Sequence, residues 1–503
     1  MIELDGHSLT PEQVEAAVGG EPVRLAAQAR VRLQRAREMV ERVVREGRPV
    51  YAISTGVGAL RTVPISIEDA EALQRNILRS HAAGVGTPLG EDVVRAMLVL
   101  RANALAGGYS GVRPVVIDTL LGMLERGVHP VVPEQGSLGA SGDLAPLAHL
   151  ALVLIGEGEA IHDGERLSGA EAMRRARIEP LVLEAKEGIA LINGTQLMTA
   201  LGTLFLLDAE RLCEVADVAG ALTLEALRGT ERAFHPLLHA ARPHPGQIRS
   251  AARIRSLLMG SERVARREYD GVQDAYSLRC MPQVHGAVRD ALAHLRRILT
   301  IEMNSATDNP LLFPDHDEIL SGGNFHGEPL ALALDYAGIA VAELASISER
   351  RIERLVNPQL SGLPPFLARQ SGLHSGYMLA QYTAASLVSE NKVLSHPASA
   401  DSIPTSANQE DHVSMGAHAA RKAAQILRNC QQVLAIELVV AAQGVEMGSG
   451  RLGEGTAAAY RIVREAVRPL GEDRVLTEEF ERAAALVRSG ALLKGVASPA
   501  PEP

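Results

Sequence analysis

The chain has no tryptophan, and only eight tyrosines and six phenylalanines among 503 residues. Strand-rich folds lean on aromatic and β-branched side chains. This sequence is rich instead in alanine, leucine, arginine and glutamate, the better helix formers, so a mostly α fold is expected. Single-stranded nucleic acid needs aromatic platforms, and a phosphate backbone needs a basic excess. Here 50 basic residues face 60 acidic ones, for a net charge of −10, with a pI near 5.9. Nucleic acid is therefore not expected as a partner. Cysteine is equally scarce: Cys213, Cys280 and Cys430 are odd in number and far apart, which argues against a disulfide framework and for a reducing compartment. No run approaches ~18 uncharged apolar residues. Glu3, Asp5, Glu12 and Glu15 stand where a leader peptide would carry basic and then apolar residues. A cytoplasmic protein without a membrane partner is expected.

What the chain does have is helical periodicity. Positions 21–46 repeat apolar residues at helical spacing and end at Gly47; Ser66 with Asp69 fits a cap opening a helix through Leu78; another amphipathic stretch runs from Glu91 to about Ala106. Longer helices are predicted over roughly 197–228, 284–303, 327–355, 375–393 and 411–446. Helices of five turns or more without heptad regularity suit a packed bundle, within the chain or between subunits. Two regions are expected: 1–200, loop-rich and bearing the Tyr51 and Ala140-Ser141-Gly142 loops, and 201–503, the long-helix bundle, together forming one continuous globular unit. The stretch 235–246 and the tail 498–503 read as loops.

Polar, glycine-rich loops hung on such helices are where function is usually kept. The densest is Gly139-Ala140-Ser141-Gly142-Asp143. Its small residues leave the backbone almost unobstructed, so it can bend sharply on itself. In an Ala-Ser-Gly tripeptide the Gly142 nitrogen can then attack the Ala140 carbonyl carbon. Loss of water closes a five-membered ring, and loss of the Ser141 hydroxyl leaves an exocyclic methylidene, an electrophile made from the chain itself. The plain alternative is a glycine-rich turn with Asp143 capping a helix that starts near Leu144.

Other motifs fail on their own terms. Thr55-Gly56-Val57-Gly58 resembles a nucleotide turn, but Arg61 stands where a third glycine is required. His235 and His239 have the spacing of a zinc pair, yet Pro236 follows the first histidine where the helical zinc motif has glutamate, so no metal is expected.

Six loops taken together carry a resemblance. Besides Gly139 to Pro146, they include Tyr51 to Gly58, Ser80-His81-Ala82-Ala83-Gly84, Ile192 to Gln196, Ser321 to His326 and Ser406 to His412; the segments Gln273 to Arg279 and Glu349 to Arg354 match too. On these residues, from about Tyr51 to Gln443, the chain resembles the histidine-acting members of the aromatic amino acid ammonia-lyases. That resemblance implies a long-helix bundle of the ammonia-lyase/fumarase-like type with a smaller loop-rich N-terminal region. It also implies a 4-methylideneimidazole-5-one (MIO) group formed from Ala140, Ser141 and Gly142, with no external cofactor and no metal.

The reaction so implied, loss of ammonia across the α and β carbons, is difficult because ammonia leaves poorly and the β-hydrogen is barely acidic. An electrophile that captures the amino group answers the first difficulty and a positioned base the second. The resemblance makes Tyr51 that base. A phenol ordinarily loses its proton only near ~10, so this role calls for positive charge or hydrogen-bond donors nearby. It likewise implies Arg279 and Asn193 at the substrate carboxylate, Tyr276 and Phe325 around the electrophile, and Asp143 and Gln273 in support of it. His81 and Glu410 mark histidine as the substrate: a carboxylate facing an apolar ring would be left unpaired, whereas imidazole or amine can meet it. L-histidine would give trans-urocanate, the first step of histidine breakdown, in a homotetramer with active sites shared between subunits. Tyrosine or phenylalanine elimination, or an aminomutase on the same scaffold, is the alternative. The sequence departs from the usual pattern at Ala52, Val57, Ala275 and His374.

Overall fold

The computed structural model describes residues 1–66, 68–264 and 272–496. Twenty α-helices and nine short strands are present among them, as the scarcity of aromatic residues implied. The chain divides into two compact units. The first comprises 1–204, 296–335 and 397–421, and the second 205–295, 336–396 and 422–503.

All nine strands lie in the first unit, in three two-stranded ribbons and one three-stranded sheet. One of them revises the reading of positions 21–46: Val23–Leu25 pairs in parallel with Ile2–Leu4, and the helix begins only at Ala27, ending at Glu46 before Gly47 in the left-handed region. Pro22 cannot donate within a helix, and the ribbon satisfies the backbone before the helix starts. The core of this unit is the helix Glu91–Ala106, buried almost continuously from Val93 onward. A helix buried on nearly every side is expected to be apolar, which makes Arg101 and Asn103, both buried within it, conspicuous.

The second unit holds helices and no strand among its described residues. It holds most of Gln196–Ala226, Met281–Glu302, Glu328–Val356 and Gly416–Glu446, and all of Met378–Leu394. Small side chains let these helices approach closely, and several buried polar groups pair with one another. Arg351 meets both carboxylate oxygens of Glu437, at 2.5 and 2.7 Å, while Thr223 and Ser348 donate to the same carboxylate. Asp217 joins His285 to Arg289. The helix Glu328–Val356 is long and apolar enough to cross a membrane, but its apolar window is mostly buried in the protein. His235 caps the short helix Pro236–Ala240, and His239 meets Gln247.

Candidate active site

The loop Gly139–Asp143 is shaped by its glycines. Gly139 and Gly142 both sit in the left-handed region, at φ of 67° and 73°, which costs glycine nothing and other residues ~1–2 kcal/mol. A Cβ on Gly142 would run into the carbonyl of Gly194, so no other residue fits there. Ser414 donates to the Gly139 carbonyl at 3.0 Å, and Ala140 is buried against Val413 and Met415.

Asp143 precedes the helix Leu144–Leu154, where the sequence suggests a capping side chain, but its carboxylate does not cap. It turns instead to accept the backbone N–H groups of Leu197 and Met198, at 2.9 and 3.0 Å, and the hydroxyl of Ser137 at 2.8 Å. Complete burial outweighs these donors and pushes its pKa up to about 6. Its own N–H donates to the Gly194 carbonyl at 2.6 Å. The loop is thus tied to the segment Asn193–Met198 at three points.

That segment is held from behind by buried charges. Asn193 Nδ2 donates to Asp308 Oδ1 at 3.2 Å and Lys186 Nζ meets Asp308 Oδ2 at 2.5 Å, with Lys186 fully buried. Burial pulls the Lys186 pKa down despite this partner. Asn193 Oδ1 is buried with no partner, an acceptor left open.

In front of the loop lies a cavity of about 1030 Å³, lined by residues of the first unit. Tyr51, His81, Ala140, Ser141, Asn193, Phe325 and Glu410 all line it. Tyr51 presents its hydroxyl to the N–H of Gly58 at 3.1 Å, one donor of the kind a base there requires. His81 ends the helix Ala70–His81, and its Nδ1 lies 2.8 Å from the Ile77 carbonyl. A carbonyl only accepts, so Nδ1 carries the proton and Nε2 is left as an acceptor. Glu410 accepts from Thr405 at 2.8 Å and from the Ser141 hydroxyl at 3.2 Å.

Three expected residues belong to the second unit. Tyr276 and Arg279 share one helical turn, Tyr276–Arg279, with the guanidinium 4.4 Å from the tyrosine ring centroid. Tyr276 is 71% exposed, Gln273 is exposed, and Arg279 Nε is buried without a partner.

Known proteins resemble this chain over nearly its whole length. Residues 9–465 match the model of the aromatic amino acid lyases. The chain belongs to that family. Among its relatives is the histidine ammonia-lyase of Symbiobacterium thermophilum, 60% identical over 98% of either chain. The crystal structure of histidine ammonia-lyase from Trypanosoma cruzi superposes with a TM-score of 0.92 at 45% identity, covering 98% of this chain and 94% of the other. Tyrosine aminomutase from Streptomyces globisporus superposes at 0.95 with 41% identity, covering 98% of both.

Around the site of this lyase, several residues escape a motif-based reading. Arg101 had a visible signal, a charge directly after the apolar run Ala96–Leu100. Lys186 and Asp308 had none, because 122 positions separate them. Arg61 donates to Gln409 at 2.6 Å, joining the Tyr51 loop to the Glu410 loop, and His326 and His412 stack with centroids 5.7 Å apart at the cavity wall. Of the four departures, Val57 lines the cavity, Ala52 is buried at a positive φ, Ala275 precedes the Tyr276 turn, and His374 accepts the Asp473 N–H in the second unit.

Proposed function

We propose that this lyase is a histidine ammonia-lyase that eliminates ammonia from L-histidine to give trans-urocanate, using an MIO group made from Ala140, Ser141 and Gly142. The observation carrying the reading is the pairing of Glu410 with Ser141 in a cavity that His81 also lines. It sets a carboxylate and an imidazole acceptor beside the tripeptide, a polar environment suited to an imidazole substrate. An apolar phenyl ring would offer neither group a hydrogen bond from the substrate side. The loop also fits the ring: the Gly142 position excludes a Cβ, Ala140 is walled by apolar side chains, and the Ser141 hydroxyl is reachable from the cavity.

When formed, the group supplies an electrophile for the substrate amine. Everything else falls to the chain's own side chains. Tyr51, its oxygen held by the Gly58 N–H, takes the β-proton. Glu410 and His81 orient the imidazole, and Asn193, which lines the cavity, is assigned to the carboxylate end. Asp143 and Gln273 support the electrophile, with Phe325 and Tyr276 beside it. Arg279, a planar fork resting on Tyr276, binds the carboxylate in two places.

The proposed assembly is a cytoplasmic homotetramer with shared active sites. Exposed Tyr336, Ile339, Leu379, Tyr382 and Val393 on long helices of the second unit support it, because apolar side chains left open on such helices suit a contact surface.

Backbone likeness does not separate the lyase from the aminomutase, since both neighbours superpose above 0.9. Purified protein assayed side by side with histidine, tyrosine and phenylalanine separates them. Urocanate absorbance and released ammonia from histidine alone are expected. Failure to turn over histidine, or a β-amino acid product, overturns the proposal.

A further inference from the structure

We infer that Arg101 is a positioning residue for ring closure at Ala140-Ser141-Gly142, fixing the peptide against which Gly142 is pressed. The inference rests on the self-made electrophile proposed above.

Arg101 is 1% exposed in a helix whose other buried residues are apolar except Asn103. Burying a guanidinium is costly, and an apolar side chain would fill the same space at less expense. No carboxylate bonds to it. Its Nη atoms donate to three neutral acceptors, Nη1 to the Asn193 carbonyl at 3.1 Å and to Gln196 Oε1 at 2.7 Å and Nη2 to the Ala190 carbonyl, while Nε is buried without a partner. Asp308 interacts with it only at longer range, being bonded to Lys186 and Asn193. Burial accordingly pulls its pKa down to about 10, so the cation persists at neutral pH.

All three acceptors lie within residues 190–196, the corner between the helices Glu187–Ile192 and Gln196–Ala226. Gln196 continues the contact to Thr307 at 3.0 Å. A rigid fork sets a corner more firmly than a point charge on a flexible stem. At the centre stands Gly194. A Cβ on it would strike Arg101 Nη1, Gln196 and Thr307 together, so the fork packs directly on the glycine. The other side of the same residue offers its carbonyl to the Asp143 N–H at 2.6 Å and crowds the Cα of Gly142. Gly194 is therefore wedged between the guanidinium and the Gly142–Asp143 peptide. If the corner relaxed backward, Gly142 would follow it and its nitrogen would draw away from Ala140.

Ring closure is sensitive to that distance. The Gly142 nitrogen bonds to the Ala140 carbonyl carbon. The carbonyl oxygen departs as water with the protons of the Gly142 and Ser141 nitrogens, leaving a C=N bond. The Ser141 hydroxyl then leaves with the Ser141 α-proton as a second water, giving the methylidene. No oxidant is consumed. A weak amide nucleophile depends on enforced proximity, the effect a fixed corner supplies.

The test is intact-mass measurement on the folded full-length protein, comparing wild type with Arg101→Lys and Arg101→Met. Wild type is expected to be lighter than its translated mass by two waters. Folded Arg101→Lys keeps the charge but loses the fork. It is expected to carry a substantial fraction at full mass, with kcat reduced in proportion and KM unchanged; Arg101→Met is expected to be further depleted. A merely structural role would lower yield without changing the mass of molecules that fold. Complete water loss in folded Arg101→Lys, or failure of both variants to fold, overturns the inference. A wild-type chain at full translated mass would remove the electrophile itself, a separate result that ends the underlying reading.

Discussion

The hydroxyl of Ser141 donates to Oε1 of Glu410 at 3.2 Å, joining two loops 269 positions apart in the chain. The contact places the residue that would supply the methylidene carbon beside the residue that would select the substrate. It also separates the chemistry of the site from its stability, because both side chains face the cavity and neither carries core packing.

Ser141→Ala is expected to abolish ammonia release, by on the order of 10³-fold or more, with an unchanged helical circular dichroism spectrum. It removes one hydroxyl at a half-buried position and leaves Gly139 and Gly142 free to form their turn. Activity within tenfold of wild type would exclude the Ala-Ser-Gly electrophile.

Glu410→Gln keeps the shape of the side chain and an oxygen to accept from Thr405, while removing the charge. A hydrogen bond to a charged group contributes about 1.5–3 kcal/mol. A ~10- to 10²-fold loss in kcat/KM for histidine is expected on that scale, with unfolding free energy changed by less than about 1 kcal/mol. Steady-state kinetics with urea unfolding checks both. An equal loss in both would reassign Glu410 to structure.

Lys186 and Asp308 form a fully buried ion pair behind Asn193. Removing one member of such a pair leaves a lone charge in the interior, at a cost of ~3–5 kcal/mol. Lys186→Met should therefore lower the urea midpoint sharply although it adds apolar volume. A neutral or stabilising effect would mean that solvent reaches Asp308.

Asp143 gives a pH signature. Its carboxyl is raised from 3.8 to about 6 by burial, so the folded state holds its proton more tightly than the unfolded chain does. The resulting stability is complete below the unfolded value and is lost as pH rises through the folded one. The window is 3.8 to about 6, and the size is on the order of 3 kcal/mol. On a Ser141→Ala background, where no ring forms, unfolding free energies with and without Asp143→Asn should converge or cross over this window as pH rises. Parallel curves would show that Asp143 titrates normally.

Much of this was legible in the sequence, and what was not has a physical reason. The extent of the helix Glu91–Ala106 was legible because its apolar pattern is local, although the helix is buried on nearly every side where the sequence suggested an amphipathic one. The loops around Ala140 were legible because small residues and glycines announce backbone freedom. For Asp143 the sequence left a helix cap open beside the supporting role that the resemblance implies, since an aspartate before Leu144 is locally indistinguishable from a cap; only the distant N–H groups of Leu197 and Met198 draw its carboxylate away. The Lys186–Asp308 pair was silent for the same reason. The units left no linker to find, because four of the five points where the chain passes between them fall inside helices.

Tyr51 offers the sharpest division between building the site and using it. Its hydroxyl touches the Gly58 N–H and has no bond to the Ala140–Asp143 loop among the described residues, so ring closure does not depend on it. The proposed reaction does, because nothing else placed here is assigned to take the β-proton. Tyr51→Phe should fold, lose two waters like the wild type, and bind histidine, yet turn it over ~10²–10⁴-fold more slowly. Deuterium at the β-carbon should slow the residual reaction once proton removal limits the rate. A variant that fails to lose water would make Tyr51 part of the maturation machinery, and one with unchanged kcat would place the base elsewhere.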